Sequence, residues 1–511
     1  MMREKKFYLD RLQQAFGKEK PLARMLRTSS GYYVYDTGTN KILECRKEVY
    51  DLIQELFVKD VNKAAADFIS RWGENEFLAA ADEIVEAMDT EKILVVKKAT
   101  KSGLSDHFKD FKKMLTSSVK AINLEVTQDC TLRCAYCIYQ DHFKEKRNYS
   151  QKVMGLDVGK KAIELLKAHS SALDTVSIGF YGGEPLMRFP FIKDCVEYAK
   201  KLFTGEKIGF NITTNATLIT DEVAEYLIKE GFFVMVSLDG PKAFHDKFRK
   251  DAKGHGSFDK TLNGLRLLSE KYRETKKGTI ALNLVYTPPF SEHKLDTTNN
   301  YFKELKWLPK EVPILTHYPV NNSIPAAFAA EADLKEDKYL FDWAVDKYKV
   351  DPDKSDSMVK GQIEERFAKF MQRPVLTEPV DSYFLNGCCI PGLRKNYITT
   401  NGDIQLCEKM PGNCPAVGNV NTGFDFETIK NIYIDEYVEK SIDTCSRCWG
   451  LRLCDVCYVY AFNERGELDM KKKSGHCQTV LNNVEKCLLY FVTLMEENPG
   501  KLDYLYQFDI K

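Results

Sequence analysis

The sequence predicts an α/β fold: an open, partial (β/α)6 barrel set between a winged-helix-like amino-terminal module and a cysteine-rich carboxyl-terminal region. Three observations carry that expectation. From residue 121 onward, apolar strand-like runs alternate six times with helical patterns, the grammar of a parallel sheet. Ahead of them, residues 31–98 read as a hairpin, three helices and a short strand. Behind them, ten of the fifteen cysteines crowd into residues 388–487.

At 511 residues the chain exceeds one compact core, so several domains are expected. Its formal net charge is +0, which argues against nucleic acid or an anionic membrane as a main partner. The opening stretch MMREKKFYLDRLQQAFGKEK has no apolar core of signal-peptide length. No window approaches the roughly 20 apolar residues of a membrane helix. A cytoplasmic location is therefore expected. In a reducing compartment so many cysteines point to metal ligation rather than disulfides. Cys45, Cys195 and Cys487 lie in apolar-periodic segments and read as small core residues.

Taken in order, residues 1–27 form a charged helical lead-in, and GYYVYDTGTNKILEC is a hairpin about a TGTN turn. Helical patterns follow near 47–57, 59–72 and 75–90, then KILVVKK as a strand. Residues 1–100 thus make one module and 101–120 a linker. The barrel spans 121–330, with strands in AINLEVT, DTVSIGFYGGEP, IGFNITTNATLI, FFVMVSLDGP, GTIALNLVYTPP and VPILTHYPV. Six units rather than eight imply an open TIM-like barrel, with its functional rim at the strand carboxyl ends. A helical, charged bridge is expected over 331–380, the cysteine-rich domain over 381–490 and a tail over 491–511. The weak periodicity of the cysteine-rich stretch implies that metals, rather than an apolar core, hold it together.

The sharpest signal is EVTQDCTLRCAYCIYQ, where Cys130, Cys134 and Cys137 follow the first strand. Three thiolates on a four-iron cluster leave one iron open to a small molecule; a zinc knuckle lacking one ligand is the competing reading. With Tyr136 before the last cysteine, this run resembles the CxxxCxΦC signature of the radical S-adenosylmethionine (radical SAM) enzymes. The resemblance implies that the methionine part of SAM chelates the open iron and that reductive cleavage yields a hydrogen-abstracting 5′-deoxyadenosyl radical. It also implies a low-potential electron donor such as flavodoxin or ferredoxin. Gly182-Gly183-Glu184-Pro185 resembles the family's GGEP motif, with Glu184 accepting from the SAM ammonium. TTNATLI resembles its third strand end, giving Asn215, with Ala216 where glycine is common. VSLDGPKAFHDKFR resembles its SxDG…HDxxR segment. There Ser237 would contact the SAM ribose and Arg249 the SAM carboxylate.

The second cysteine set resembles a SPASM domain, which carries auxiliary four-iron clusters. The resemblance assigns Cys389, Cys407 and Cys457 to an inner cluster, with Cys388 or Cys414, or a substrate thiolate, as its fourth ligand. It assigns Cys445, Cys448, Cys454 and Cys477 to an outer cluster. Two residues separate Cys454 from Cys457, where the family has three. Paired zinc sites are the alternative. Three [4Fe-4S] clusters and SAM are thus the expected cofactors.

A small winged-helix-like unit ahead of such a body resembles the PqqD-like recognition element of ribosomal peptide maturases. These bind a leader peptide as an added strand, here at the 31–45 hairpin. The helices at 59–90 lack a basic face, so peptide is expected rather than DNA. The resemblance therefore implies a maturase that joins a cysteine sulfur to a carbon of a precursor peptide as a thioether. Alternatives are carbon–carbon or carbon–oxygen crosslinking, formylglycine formation on a sulfatase, and a non-catalytic iron–sulfur or zinc protein. No general base is assigned.

Overall fold

Apolar periodicity builds two sheets with separate cores. The computed structural model describes residues 2–140, 148–319, 325, 328, 340–350, 356–385 and 387–508. After α1 (Met2–Phe16), strands β1 (Ala23–Arg27), β2 (Tyr32–Asp36) and β3 (Lys41–Cys45) form an antiparallel sheet in that order. Helices α2 (Lys47–Val58), α3 (Val61–Trp72) and α4 (Glu74–Thr90) follow. Asp60 caps α3 by accepting from Lys63 N. Gly73, at φ 86°, makes the left-handed step into α4. Leu12, Phe16, Leu52, Phe68, Phe77 and Ile84 close the core of this unit.

Two expectations for this module need correction. β1 lies where only the helical lead-in was expected. KILVVKK forms no strand, because Lys92 and Leu94 adopt left-handed conformations and Leu94 N donates to Asp36 Oδ1 (2.9 Å) instead of to a ladder. The turn between β2 and β3 is not free. Asp36, Thr37, Thr39 and Asn40 are buried. Arg452 donates to Thr37 O (2.6 Å) and Gly38 O (3.2 Å), and Thr37 Oγ1 donates to Trp449 O (2.5 Å). The module thereby rests on the cysteine run 445–457. β1 and β3 are the two edges of this sheet, and neither has a further strand partner among the described residues.

The second sheet has ten strands. Its six parallel members are β4 (Ala121–Thr127), β5 (Thr175–Gly182), β6 (Lys207–Thr214), β7 (Phe233–Ser237), β8 (Thr279–Val285) and β9 (Ile314–His317), paired in sequence order. Helices Leu156–Ala168, Phe189–Leu202, Asp221–Lys229, Phe258–Thr275 and Glu292–Glu304 connect them, as the alternation predicts. Ile122, Leu124 and Val126 of β4 enter the main core. The opposite face is polar: a Cβ on Gly179 would meet both Asn123 Oδ1 and Asn211 Oδ1.

The cysteine-rich region continues this sheet. β10 (Asn396–Ile398) pairs parallel with β4, and β11 (Asp403–Gln405), β12 (Gly418–Asn419) and β13 (Gly423–Phe424) extend it antiparallel. Ile398, Ile404, Val417, Tyr433, Tyr437 and Phe462 share the barrel's core. The region thus packs its apolar residues into the barrel's core rather than building one of its own. Glu125 of β4, fully buried, accepts from Tyr139 OH and Tyr397 OH at 3.0 Å each and from Thr400 N at 3.0 Å, fastening the region to the barrel.

Of the expected bridge, helices Leu340–Val350 and Ser357–Met371 are seen; residues 331–339 and 351–355 lie outside the described residues. A final helix, Met470–Glu497, crosses position 490 without a break. It meets the first sheet through Glu485 with Arg24 and Glu496 with Tyr33. No helix among the described residues is long and apolar enough to cross a membrane. Cys195 and Cys487 are buried in the main core, and Cys45 packs against the smaller one.

Candidate functional site

The loop leaving β4 carries Cys130, Cys134 and Cys137, and two segments hold it in place. From one side, Ala135 N donates to Phe248 O (2.9 Å) and Arg133 N to Lys250 O (2.7 Å), which stitches it to the HDKFR stretch. From the other, Gly183 N donates to Thr127 O (2.8 Å) and Glu184 N to Asp129 O (2.9 Å). A Cβ on Gly183 would lie 1.9 Å from Asp129 O, so only glycine permits this approach. Gly182 takes φ 123° at the same turn.

The three thiols lie close enough to act on one another electrostatically. Burial pushes them all up, Cys134 to about 12, so a cation among them is what would hold them as thiolates. Three convergent thiols from one loop fit an iron–sulfur cluster with one iron unligated by protein. Among the described residues no group of three or more His, Cys, Asp or Glu side chains is arranged to hold a single metal ion.

Glu184 is fully buried. Its Oε1 accepts from Thr214 Oγ1 (2.7 Å) and Leu186 N (3.1 Å), and its Oε2 from Asn215 N (2.8 Å). Burial raises it to about 7 against the pull of those donors. Three accepted bonds leave a carboxylate room for another donor. Asn215 ties β6 to the cysteine loop, its Nδ2 donating to Thr131 Oγ1 (3.0 Å) and Cys130 Sγ (3.6 Å). Ala216 follows it at φ 59°, a left-handed position that glycine takes more easily. Ser237 ends β7 and is buried.

Arg249 is buried and held by an ion pair that uses only two of its donors. It pairs with Asp239 through Nε–Oδ2 (2.8 Å) and Nη2–Oδ1 (3.1 Å), and its guanidinium lies 5.4 Å from the Tyr136 ring centroid. Tyr136 OH also donates to Asp239 Oδ2 (2.5 Å). Sequence reasoning missed Asp239 as a functional residue, although it is the acid of the quoted SLDG. His245 was missed too. It accepts from Asp239 N (3.3 Å) and its Nε2 lies 3.0 Å from Ser257 Oγ, which donates to Arg249 O (2.8 Å). Burial, with Arg249 nearby, lowers His245 to about 4, which keeps it neutral.

Farther on, Cys445, Cys448, Cys454 and Cys477 line one cavity of about 280 Å³. Their chemistry and convergence fit a four-thiolate cluster. Cys389, Cys407 and Cys457 form a second set, with Cys407 pushed up to about 12, first by burial and then by Glu408, Cys457 and Cys389. Cys389 is exposed. Cys388 is buried, its thiol hydrogen-bonded to Tyr437 OH (3.2 Å) and Val456 O (3.8 Å), with Cys457 and Cys454 near enough to raise it. Cys414 is buried, and it and Cys407 both act on Tyr433.

Residues 124–300 match the model of the Radical SAM superfamily. The chain is 34% identical over 177 residues to the serine-type anaerobic sulfatase-maturating enzyme of Bacteroides thetaiotaomicron, covering 34% of this chain and 41% of that one. It is 31% identical over 200 residues to the radical SAM cyclopropyl synthase TigE of Paramaledivibacter caminithermalis, covering 36% and 39%. The chain thus spans about two fifths of the length of these relatives. In three dimensions it resembles native anSMEcpe with bound AdoMet at TM-score 0.54 and 18% identity, covering 76% of this chain and 100% of that one. Matched segment, strand order and converging loop cysteines agree: residues 124–300 of this chain match the Radical SAM superfamily over the parallel sheet and the cysteine loop, a match that implies a [4Fe-4S] cluster and SAM as cofactors.

Proposed function

We propose that this chain is a cytoplasmic maturase of a ribosomally made precursor peptide, joining a cysteine sulfur of that peptide to one of its carbons. The observation that carries the reading is the inner cysteine set. Cys389 is exposed beside Cys407 and Cys457, while Cys388 spends its thiol on Tyr437 and Val456. A substrate thiolate is then a natural fourth ligand, and ligation at that cluster would release its proton.

In this account Cys130, Cys134 and Cys137 hold the SAM-binding cluster, and the outer four cysteines and the inner three hold two auxiliary ones. When bound, these groups supply hydrogen-atom abstraction and an acceptor for the electron left over. The new C–S bond replaces one C–H and one S–H, so two hydrogens leave, one as an atom and one as a proton. Gly182 and Gly183 let the β5 turn close on the cysteine loop, and Glu184 offers its remaining lone pair to the SAM ammonium. Asn215 fixes Cys130 through a long hydrogen bond, and Ser237 would contact the ribose. Arg249, positioned with Tyr136 by Asp239, would offer its remaining donors to the SAM carboxylate. The unpaired β3 edge receives the leader peptide, and flavodoxin or ferredoxin delivers electrons.

Formylglycine formation on a sulfatase is the second reading, favoured by the 34% identity to a serine-type sulfatase-maturating enzyme. Anaerobic reconstitution separates the two. Release of 5′-deoxyadenosine on reduction should depend on Cys130, Cys134 and Cys137 and rise with a cysteine-containing leader–core peptide. Stimulation by a sulfatase-derived peptide alone would favour the second reading.

A further inference from the structure

Three consecutive lysines open the last helix at positions 471–473, and only Lys473 is buried. It lies one turn before Cys477 on the same helix. Its Nζ donates to Ser441 Oγ (2.7 Å) and to Cys445 Sγ (3.5 Å), and it stands 4.5 Å from the Tyr437 ring centroid. It lines the cavity of the four outer cysteines. Its charge pulls down on Cys448 and Cys477, and on Cys388 beyond them. Among the described residues its contacts are a hydroxyl, a thiol and an aromatic face, with no carboxylate among them.

A buried ammonium without an anion is unfavourable, and Ser441 and Tyr437 offer only dipoles and a ring quadrupole. The missing negative charge is at hand if the four cysteines are thiolates around a cluster, since that unit is anionic. The relation works in both directions. An added electron makes an anionic cluster more negative, and a cation held against one of its sulfurs in a low-dielectric cavity favours that electron.

We infer that Lys473 is a positioning residue that raises the reduction potential of the outer auxiliary cluster through its charge on Cys445. This inference rests on the reading that Cys445, Cys448, Cys454 and Cys477 hold that cluster. Its consequence is directional: the outer cluster accepts an electron more readily than the same four thiolates would alone. The outer site is thereby suited to take the electron left by crosslinking.

The test uses the full-length, anaerobically reconstituted protein, with the outer cluster identified as the reduced-state electron paramagnetic resonance signal that Cys448→Ala removes. Lys473→Met should lower the reduction equilibrium constant of that signal at least tenfold, or 59 mV for one electron, with iron and sulfide content retained. Lys473→Arg should restore the wild-type value. Should the Met and Lys473→Gln proteins lose iron while the Arg protein keeps it, a requirement for the cation is likewise supported. An unchanged potential in fully loaded Met and Gln proteins overturns the inference. So does iron loss in all three, which would mark a packing role. If Cys448→Ala removes no signal and no iron, the cluster reading itself fails, a separate result.

Discussion

Asp239 and Arg249 form a two-point ion pair inside the barrel rim, with side chains only 2% and 7% exposed. Tyr136, one residue before Cys137, donates to the same carboxylate, and so does Val285 N on β8 (3.0 Å). One acid therefore joins the end of β7, the cysteine loop and β8. Burial disfavours its charge, but the Arg249 charge and hydrogen bonds outweigh that and hold Asp239 below its ordinary value.

Removing that charge strands a buried guanidinium. Asp239→Asn should cost about 3–5 kcal/mol in denaturant unfolding. The sign of the pH effect follows from the lowered value. The pair's stability is fully present above the ordinary aspartate value of about 3.9 and is lost as pH falls through the folded-state value. The wild type should lose this component on acidification, and the Asn variant should not show it. Parallel acid profiles would contradict the assignment.

Glu184 offers a second pH signature. It is raised to about 7 by burial, and a SAM ammonium would require it charged. SAM affinity should rise as pH increases through about 7, falling toward tenfold per unit well below that value. Calorimetric titration across this range measures it, and Glu184→Gln should flatten the profile and weaken binding.

Gly183→Ala places a methyl 1.9 Å from the Asp129 carbonyl oxygen. Backbone must move, at a cost of about 1–3 kcal/mol, and the part that moves carries Cys130. Iron content after reconstitution should fall at the first cluster alone. Full iron loading and unchanged melting would show that the loop yields without consequence.

The two adjacent cysteines 388 and 389 should behave differently. Cys389→Ala should lose inner-cluster iron. Cys388→Ala should keep it and lose only the buried thiol's contacts, about 1 kcal/mol. Equal iron loss from both would place Cys388 among the ligands and remove the support for an open inner site.

Much of this was legible in the sequence because parallel strands buried on a barrel wall read as apolar runs, and β4–β9 do. The cysteine loop, GGEP turn and Asn215 were legible as motifs, and the structure brings them together. What was hidden depends on partners distant in sequence. β10–β13 are two or three residues long and are strands only because β4 offers an edge. KILVVKK has a strand's composition, but two left-handed residues break it. Asp239 was legible only as a letter of the SLDG run at the end of a strand, because Arg249, Tyr136 and Val285 meet its carboxylate from distant parts of the chain. Cys388 and Cys389 are indistinguishable by type, and only the packing of Tyr437 and Val456 separates them.

The most direct test of the central claim is the mass of a cysteine-containing precursor peptide, encoded beside this gene and co-expressed with it under anaerobic conditions. The account predicts loss of two hydrogens per crosslink, cysteines that resist alkylation, and no change with the Cys130→Ala enzyme. The same mass loss with freely alkylated cysteines, or an unmodified peptide, would contradict it.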